Sequence, residues 1–269
     1  MVTTALDRRR SFLPLLSSLI ALAWLALWVW ERSPYGRYLD HGQWTEVGFA
    51  ASLCRALPAG TIVLPALLYV GGWVLMSAAM MLPTAMPLLG IFSRLTERLP
   101  GRGTLFTMVI LGYLLIWGAF GLAAHLIDAG LHALVVASPW LAFNGWVIGA
   151  AVLALAGAFQ FSALKHHCLD KCRTPFSFVN EHWRGQVPRR QAFLLGVHHG
   201  IFCVGCCWAI MLLMFIVGIG SVGWMFLLGS AMAIEKNLSW GRRLSAPLGV
   251  GLLIGSAAIL VAHMSDWPI

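Results

Sequence analysis

Residues 104–127 read TLFTMVILGYLLIWGAFGLAAHLI, 24 positions without a single Lys, Arg, Asp or Glu. A helix needs about 20 mainly apolar residues to cross the hydrocarbon core of a bilayer. This stretch meets that length, and six more resemble it: about 12–30, 63–90, 141–164, 191–217, 219–235 and 246–264. The fifth and sixth spans merge in a plain hydropathy reading. As one helix, 191–235 would reach about 67 Å, far more than the membrane core. The cluster Gly218, Gly220 and Gly223 marks the expected break, since glycine weakens a helix and permits a tight turn.

Composition agrees with that reading. Of 269 residues, 59% are hydrophobic and 10% charged, against roughly 25% charged in a soluble domain. An ordinary cytosolic enzyme, a disordered tail and a nucleic-acid-binding module are excluded. The net charge of +8 would point to nucleic acid only if the basic residues formed a water-facing patch. They read instead as short loops between apolar runs.

Their distribution sets a topology. With the N-terminus cytoplasmic, 15 of the 18 basic residues fall in inner segments, including Arg8, Arg9, Arg10, Arg94, Arg98, Arg102, Lys165, Lys171, Lys236, Arg242 and Arg243. Only Arg32, Arg37 and Arg55 fall outside. Positive residues are retained on the cytoplasmic side, and a six-span chain would put the last cluster on the wrong one. The expected fold is all-α: a polytopic transmembrane helical bundle of about seven spans, forming one integral membrane domain over 1–269. Its N-terminus is cytoplasmic, its C-terminus periplasmic, and its longest inner segment is a polar cytoplasmic loop at 165–190. The first run is too long, and too poor in small residues at its end, for a removable signal peptide. An outer piece at 44–57 is weakly amphipathic and is expected at the interface. Gly145/Gly149, Gly196/Gly200 and Gly251/Gly255 have the small-residue spacing that lets helices approach closely.

Chemistry is concentrated in sulfur and imidazole. Five of the six cysteines, Cys168, Cys172, Cys203, Cys206 and Cys207, lie in two inner clusters, and Cys54 has no outer partner. A disulfide framework would place paired cysteines in the oxidising compartment, so these read as ligands or redox groups. Cys168 and Cys172 are four apart and share a helix face, with His166 and His167 beside them. In the fifth span, His198 and His199 precede Cys203, Cys206 and Cys207. His199 and Cys206 are about 10 Å apart along a helix axis. The cluster therefore implies either two stations or one site centred on Cys203 and Cys207. Met76, Met80 and Met81 fall at a similar depth on the second span, where Pro83 and Pro87 each remove a backbone donor.

Thiolate and thioether donors select Cu(I), imidazole suits copper or zinc, and hard cations want oxygen. Carboxylates are scarce here, with Asp170 and Glu235 the two nearby. Copper as Cu(I) is the expected ion; zinc is admitted by Cys and His alone, and methionine tips the balance. A separate outer group, His125, Asp128 and His132, has i, i+3, i+7 spacing, with His263 and Asp266 at similar height. It reads as a nitrogen/oxygen metal site, an acceptor for a transported ion, or interfacial polar residues.

These motifs resemble the bacterial predicted metal-binding integral membrane proteins, a domain-of-unknown-function family. The matching segments are Ala79-Met80-Met81-Leu82-Pro83 with Pro87, then Leu164-Lys165 followed by Cys168-Leu169, Cys172-Arg173 and Pro175. Gly196 and Gly200 with Cys203-x-Gly205-Cys206-Cys207-Trp208 follow, and Glu235-Lys236 fits the closing motif. The resemblance spans roughly 70–240 and implies a multi-span protein of the bacterial inner membrane that binds metal, copper above all.

The combined expectation is Cu(I) handling by transport, storage or delivery. Copper is taken at Cys168/Cys172 with His166 or His167 assisting. It is held by Cys203, Cys206 and Cys207, with Met76, Met80 or Met81 completing a soft shell. The lipid bilayer is the first partner, a copper chaperone or metalloprotein client the expected second; nucleic acid is excluded and an oligomer is left open. Two rival readings stand beside it. One is an enzyme, either a thiol-redox protein using Cys206-Cys207 or a copper oxidoreductase using the outer group. The other is a structural subunit of a membrane complex whose cysteines only pack.

Overall fold

The computed structural model describes residues 3–32, 63–214 and 222–265. The expected interfacial piece at 44–57, Cys54, Asp266 and most of the Gly218–Gly223 break lie outside them. The described residues are helical, without strands. In chain order the helices are α1 (Thr3–Glu31), α2 (Val63–Leu95), α3 (Arg102–Ala137), α4 (Pro139–Phe143), α5 (Trp146–Phe159) and α6 (Ala163–Arg173). After them come α7 (Pro175–His182), α8 (Pro188–Leu212), α9 (Val222–Asn237), a 3-10 turn (Gly241–Leu244) and α10 (Ser245–Ser265).

Among the described residues, four helical segments are long and apolar enough to cross a membrane: Tyr69–Leu95, Arg102–Ala137, Pro188–Leu212 and Gly241–His263. The bent pair α5–α6, turned by 62° at a short break, makes five if counted as one span. The expected single run at 141–164 is thus divided. Helix α5 ends at Phe159, and Ser162 starts α6 by accepting the Lys165 amide at 3.1 Å, an ordinary N-cap. The expected polar loop at 165–190 also differs. It is largely two helices, α6 and α7, whose Lys165, Cys168, Leu169, Phe178 and Val179 are buried. Pro175 and Pro188 occupy the first turns of α7 and α8, where a missing N–H costs nothing.

Helix directions follow from who meets whom. Helix α3 runs antiparallel to α2: Tyr69 stacks on His125, and Tyr113 donates to the Met81 carbonyl at 3.3 Å. Helix α8 runs parallel to α3. The two touch backbone to backbone, because any Cβ at Gly196 would run into the Val109 carbonyl, and one at Gly200 would lie 2.9 Å from Ile116. That small-residue seam is the expected one. Gly251 and Gly255, by contrast, face open space. Helix α9 runs parallel to α2, with Gly229 beside Met80 and Lys236 beside Thr84. Helix α10 runs antiparallel to α5, with Gly249 against Phe161, Leu253 against Gly157 and Ser256 donating to Ala150 at 2.8 Å.

Pro83 shapes the middle of α2. It cannot donate to the carbonyl four residues back. That carbonyl, Ala79 O, instead accepts from Trp24 Nε1 of α1 at 3.2 Å. The core lies where α2, α3, α8 and α9 meet, around Trp73, Met76, Met81, Trp117, Cys203, Met214 and Met225. Large apolar side chains such as Leu126, Ile127, Phe226 and Val261 face outward. A soluble monomer rarely exposes contiguous apolar patches of more than a few hundred Å².

Candidate metal centre

Helix α8 brings its three cysteines to a fully buried face. The i, i+3, i+4 spacing of Cys203, Cys206 and Cys207 puts them on one side. Both later thiols donate back to the Cys203 carbonyl, at 3.1 and 2.8 Å. Their sulfurs then meet partners from two other helices. Cys172 of α6 lies with its sulfur 4.0 Å from that of Cys206. Met81 of α2 lies with its sulfur 3.8 Å from that of Cys207. Close packing of α6 on α8 is set by Gly205, where a Cβ would lie 2.6 Å from the Cys168 sulfur. Cys168 and Cys172 share a face as expected, and both are reduced thiols here.

One cation enters this sulfur cluster. Lys236 of α9 is buried and points its ammonium at Cys203 (2.9 Å), Thr84 Oγ1 (3.3 Å) and Cys207 (3.7 Å). Cys203 also shares a hydrogen bond with the Tyr113 hydroxyl at 2.9 Å. A second buried lysine lies one layer away. Lys165 has no exposed surface; its Nζ donates to Glu235 at 2.7 Å and to the Gln160 side-chain oxygen. Ser245 donates to the same Glu235 oxygen at 2.7 Å. Arg173 donates to the Glu235 and Ser239 carbonyls near the end of α9, where a cation complements the helix dipole.

Lys165 and Lys236, expected as loop charges, are interior groups instead. Sequence offered one signal for this, since both abut apolar runs and stand beside a motif residue. Tyr113, Thr84 and Gln160 carried no signal of their own. Their roles depend on neighbours brought from other helices.

The other expected ligands are distributed. Met80 packs toward Gly229 and Met76 is buried in the core; of the three methionines, Met81 is the one against a cysteine sulfur. His166 is half-buried with its Nδ1 unbonded, and His167 is exposed, 6.3 Å ring to ring from Phe202. His199 is buried between Tyr113 and Phe178. His198 instead meets His182 of α7, ring centres 4.8 Å apart. At the far end of α3, Asp128 and His132 pair within one helix turn at 3.6 Å, and His125 lies on Tyr69. His263 stacks on Trp146. Among the described residues no three His, Cys, Asp or Glu side chains converge on one point that a metal could occupy. The sulfur cluster is thus a set of pairs, not a closed cage.

Residues 70–259 match the family model described as PpoB2, copper chaperone. The chain belongs to that family. The match covers the sulfur-bearing parts of α2, α6 and α8 together with Lys236, and it agrees with the expectation of a copper-related family. No curated protein and no solved structure matches the chain.

Proposed function

We propose that this chain is an integral membrane protein of the bacterial inner membrane that receives Cu(I) on buried sulfur and passes it on to a metalloprotein client. The observation that carries the reading is the convergence of sulfurs from three helices. Cys172 and Met81 come within 4.0 and 3.8 Å of Cys206 and Cys207. A metal–sulfur bond of about 2.3 Å, the zinc–thiolate value, puts two ligand sulfurs about 4 Å apart at a trigonal angle. Each pair has that spacing. Two soft donors per station suit Cu(I), whereas a structural zinc site wants four closed ligands. Magnesium and calcium are disfavoured by the donors, and Glu235 is already engaged by Lys165.

Charge supports the same ion. Thiols bind metal as thiolates, so Cu(I) on the two thiolates of the Cys172/Cys206 pair carries one net negative charge, with Cys203 and Cys207 protonated. The Lys236 ammonium, 2.9 Å from Cys203, brings the cluster to zero. A neutral group is what a low-dielectric interior tolerates. The paired arrangement also favours transfer over storage. An ion held by two sulfurs keeps room for a third, and in ligand exchange from Cys172/Cys206 to Cys207/Met81 the proton leaving the Cys207 thiol passes to one of the two released thiolates, so the cluster's total charge is unchanged.

Anaerobic Cu(I) titration of the detergent-solubilised protein, against a chromophoric chelator, tests this. Wild type should bind copper with a sulfur shell in X-ray absorption. C203S/C206S/C207S should lose that shell and at least one equivalent of copper. Unchanged stoichiometry in the triple variant sinks the proposal.

A further inference from the structure

The histidine that α8 carries ahead of its cysteines has a partner that spacing in the sequence does not disclose. His182 is the last residue of α7, and its ring centre lies 4.8 Å from that of His198, the planes tilted by 52°. The two rings come from different helices and are held independently. His182 Nδ1 lies 3.0 Å from the Phe178 carbonyl. A carbonyl only accepts, so Nδ1 carries the proton and Nε2 keeps its lone pair. That is the usual way a protein presents imidazole to a metal. Phe178 also stacks on the His182 ring at 4.4 Å and fixes its plane. On the other ring, His198 Nδ1 is buried with no hydrogen-bond partner among the described residues. A buried ring nitrogen without a partner is uncommon in a native fold, and a ligand is one explanation for it.

We infer that His182 and His198 form a nitrogen-donor copper station, distinct from the sulfur cluster and loading it. The inference rests on the copper reading above. An ion about 2.0 Å from one nitrogen of each ring would lie about 3 Å from each ring centre. Two rings 4.8 Å apart satisfy that reach. Both histidines are only half-buried, whereas the α8 cysteines are fully buried. The pair is therefore the more accessible stop. Along α8, His198 precedes Cys203 by about 8 Å and Cys206 by about 12 Å. His199, Tyr113 and Phe178 fill the interval, with Tyr113 bonded to the Cys203 sulfur. Borderline imidazole ahead of soft thiolate gives Cu(I) a downhill sequence of ligands.

The test uses the full-length protein in detergent and Cu(I) as the probe. In C172S/C203S/C206S/C207S, one equivalent of Cu(I) should remain, with nitrogen neighbours in X-ray absorption. Adding H182Q and H198Q should remove it. With all cysteines present, H182Q/H198Q should slow copper transfer onto the thiols at least tenfold while leaving the sulfur shell intact. The wild-type chain gives a check that needs no variant. Copper added beyond thiol capacity should protect both His182 and His198 from acylation by diethyl pyrocarbonate, read by mass spectrometry. Absence of protection, or retention of the nitrogen-bound equivalent in the histidine variant, overturns the station. Neither result touches the sulfur cluster, which fails separately if wild-type copper shows no sulfur neighbours.

Discussion

A single ammonium decides how the sulfur cluster behaves. Lys236 lies within 2.9 Å of one thiol and 3.7 Å of a second, and it is buried. A buried charge is costly unless compensated. Thiols and one threonine hydroxyl are weak compensation, whereas thiolates carrying copper are strong compensation. Lys236→Leu should therefore divide two properties that usually move together. The copper-free protein should melt at the same temperature or higher, because the desolvated charge is gone. Cu(I) affinity should fall tenfold or more, about 1.4 kcal/mol, because the bound cluster is left with an unbalanced negative charge. Calorimetry and chelator competition measure the two. A parallel loss of both would make Lys236 a merely structural residue. The sequence disclosed the cysteines and Met81, but of this lysine only that it closes a motif, not that it turns inward. A lysine after an apolar run looks the same whether it turns to water or into a bundle, and only the helices packed against it decide.

At the scale of elements, α6 is the piece whose placement the site depends on. It carries Cys172 to Cys206, and it is held by Gly205 on one side and α9 on the other. The clamp to α9 and the 3-10 turn after it comprises Lys165 on Glu235, Arg173 on the Glu235 and Ser239 carbonyls, and Asp170 with Arg242 at 3.2 Å. The exposed Asp170–Arg242 pair adds little, whereas the buried pair matters when broken. Glu235→Gln leaves Lys165 charged and unmatched, and should cost about 3–5 kcal/mol in denaturant unfolding. Adding Lys165→Met should restore most of it. Gly205→Ala acts differently. Its methyl would lie 2.6 Å from the Cys168 sulfur and 3.4 Å from the Cys168 Cβ, so the Cys168 thiol must turn away and its neighbours repack. Stability should fall by about 1–3 kcal/mol in denaturant unfolding. A C172S protein with unchanged copper stoichiometry and sulfur shell would show that α6 does not contribute a ligand. Hydropathy made α6 legible only as polar sequence after a span. Its helix, its 62° turn and its buried lysine follow from the Ser162 cap and from Glu235, seventy positions away in the chain.

For the whole molecule, the question is how many times the chain crosses. Helices α1 and α9 decide it. The apolar part of α1, Leu16–Glu31, and all of α9 have 16 residues each, about 24 Å of helix, short of a core about 30 Å thick. Local thinning of the bilayer accommodates such a mismatch at modest cost. Directions argue that α9 does cross. Helix α8 runs with α3 and opposite to α2, while α9 runs with α2 and ends beside Asp170 and Arg173 of α6. If α8 crosses, a chain that ends beside α6 is expected to have returned. Helix α10 then leaves again, antiparallel to α5. With the N-terminus taken as cytoplasmic, the charge bias survives the loss of Lys165 and Lys236 from the count: 15 less 2 leaves 13 basic residues expected inside against 3 expected outside. Alkaline phosphatase fused after Ile269 should accordingly be active in a bacterial host, and green fluorescent protein at the same point dark. Fusions in the 96–101 turn should behave the opposite way. If the C-terminal fusions report the cytoplasm, the chain crosses an even number of times from a cytoplasmic N-terminus. Helix α9 would then be a re-entrant arm, and Lys236 would reach the thiols from the side on which the chain entered.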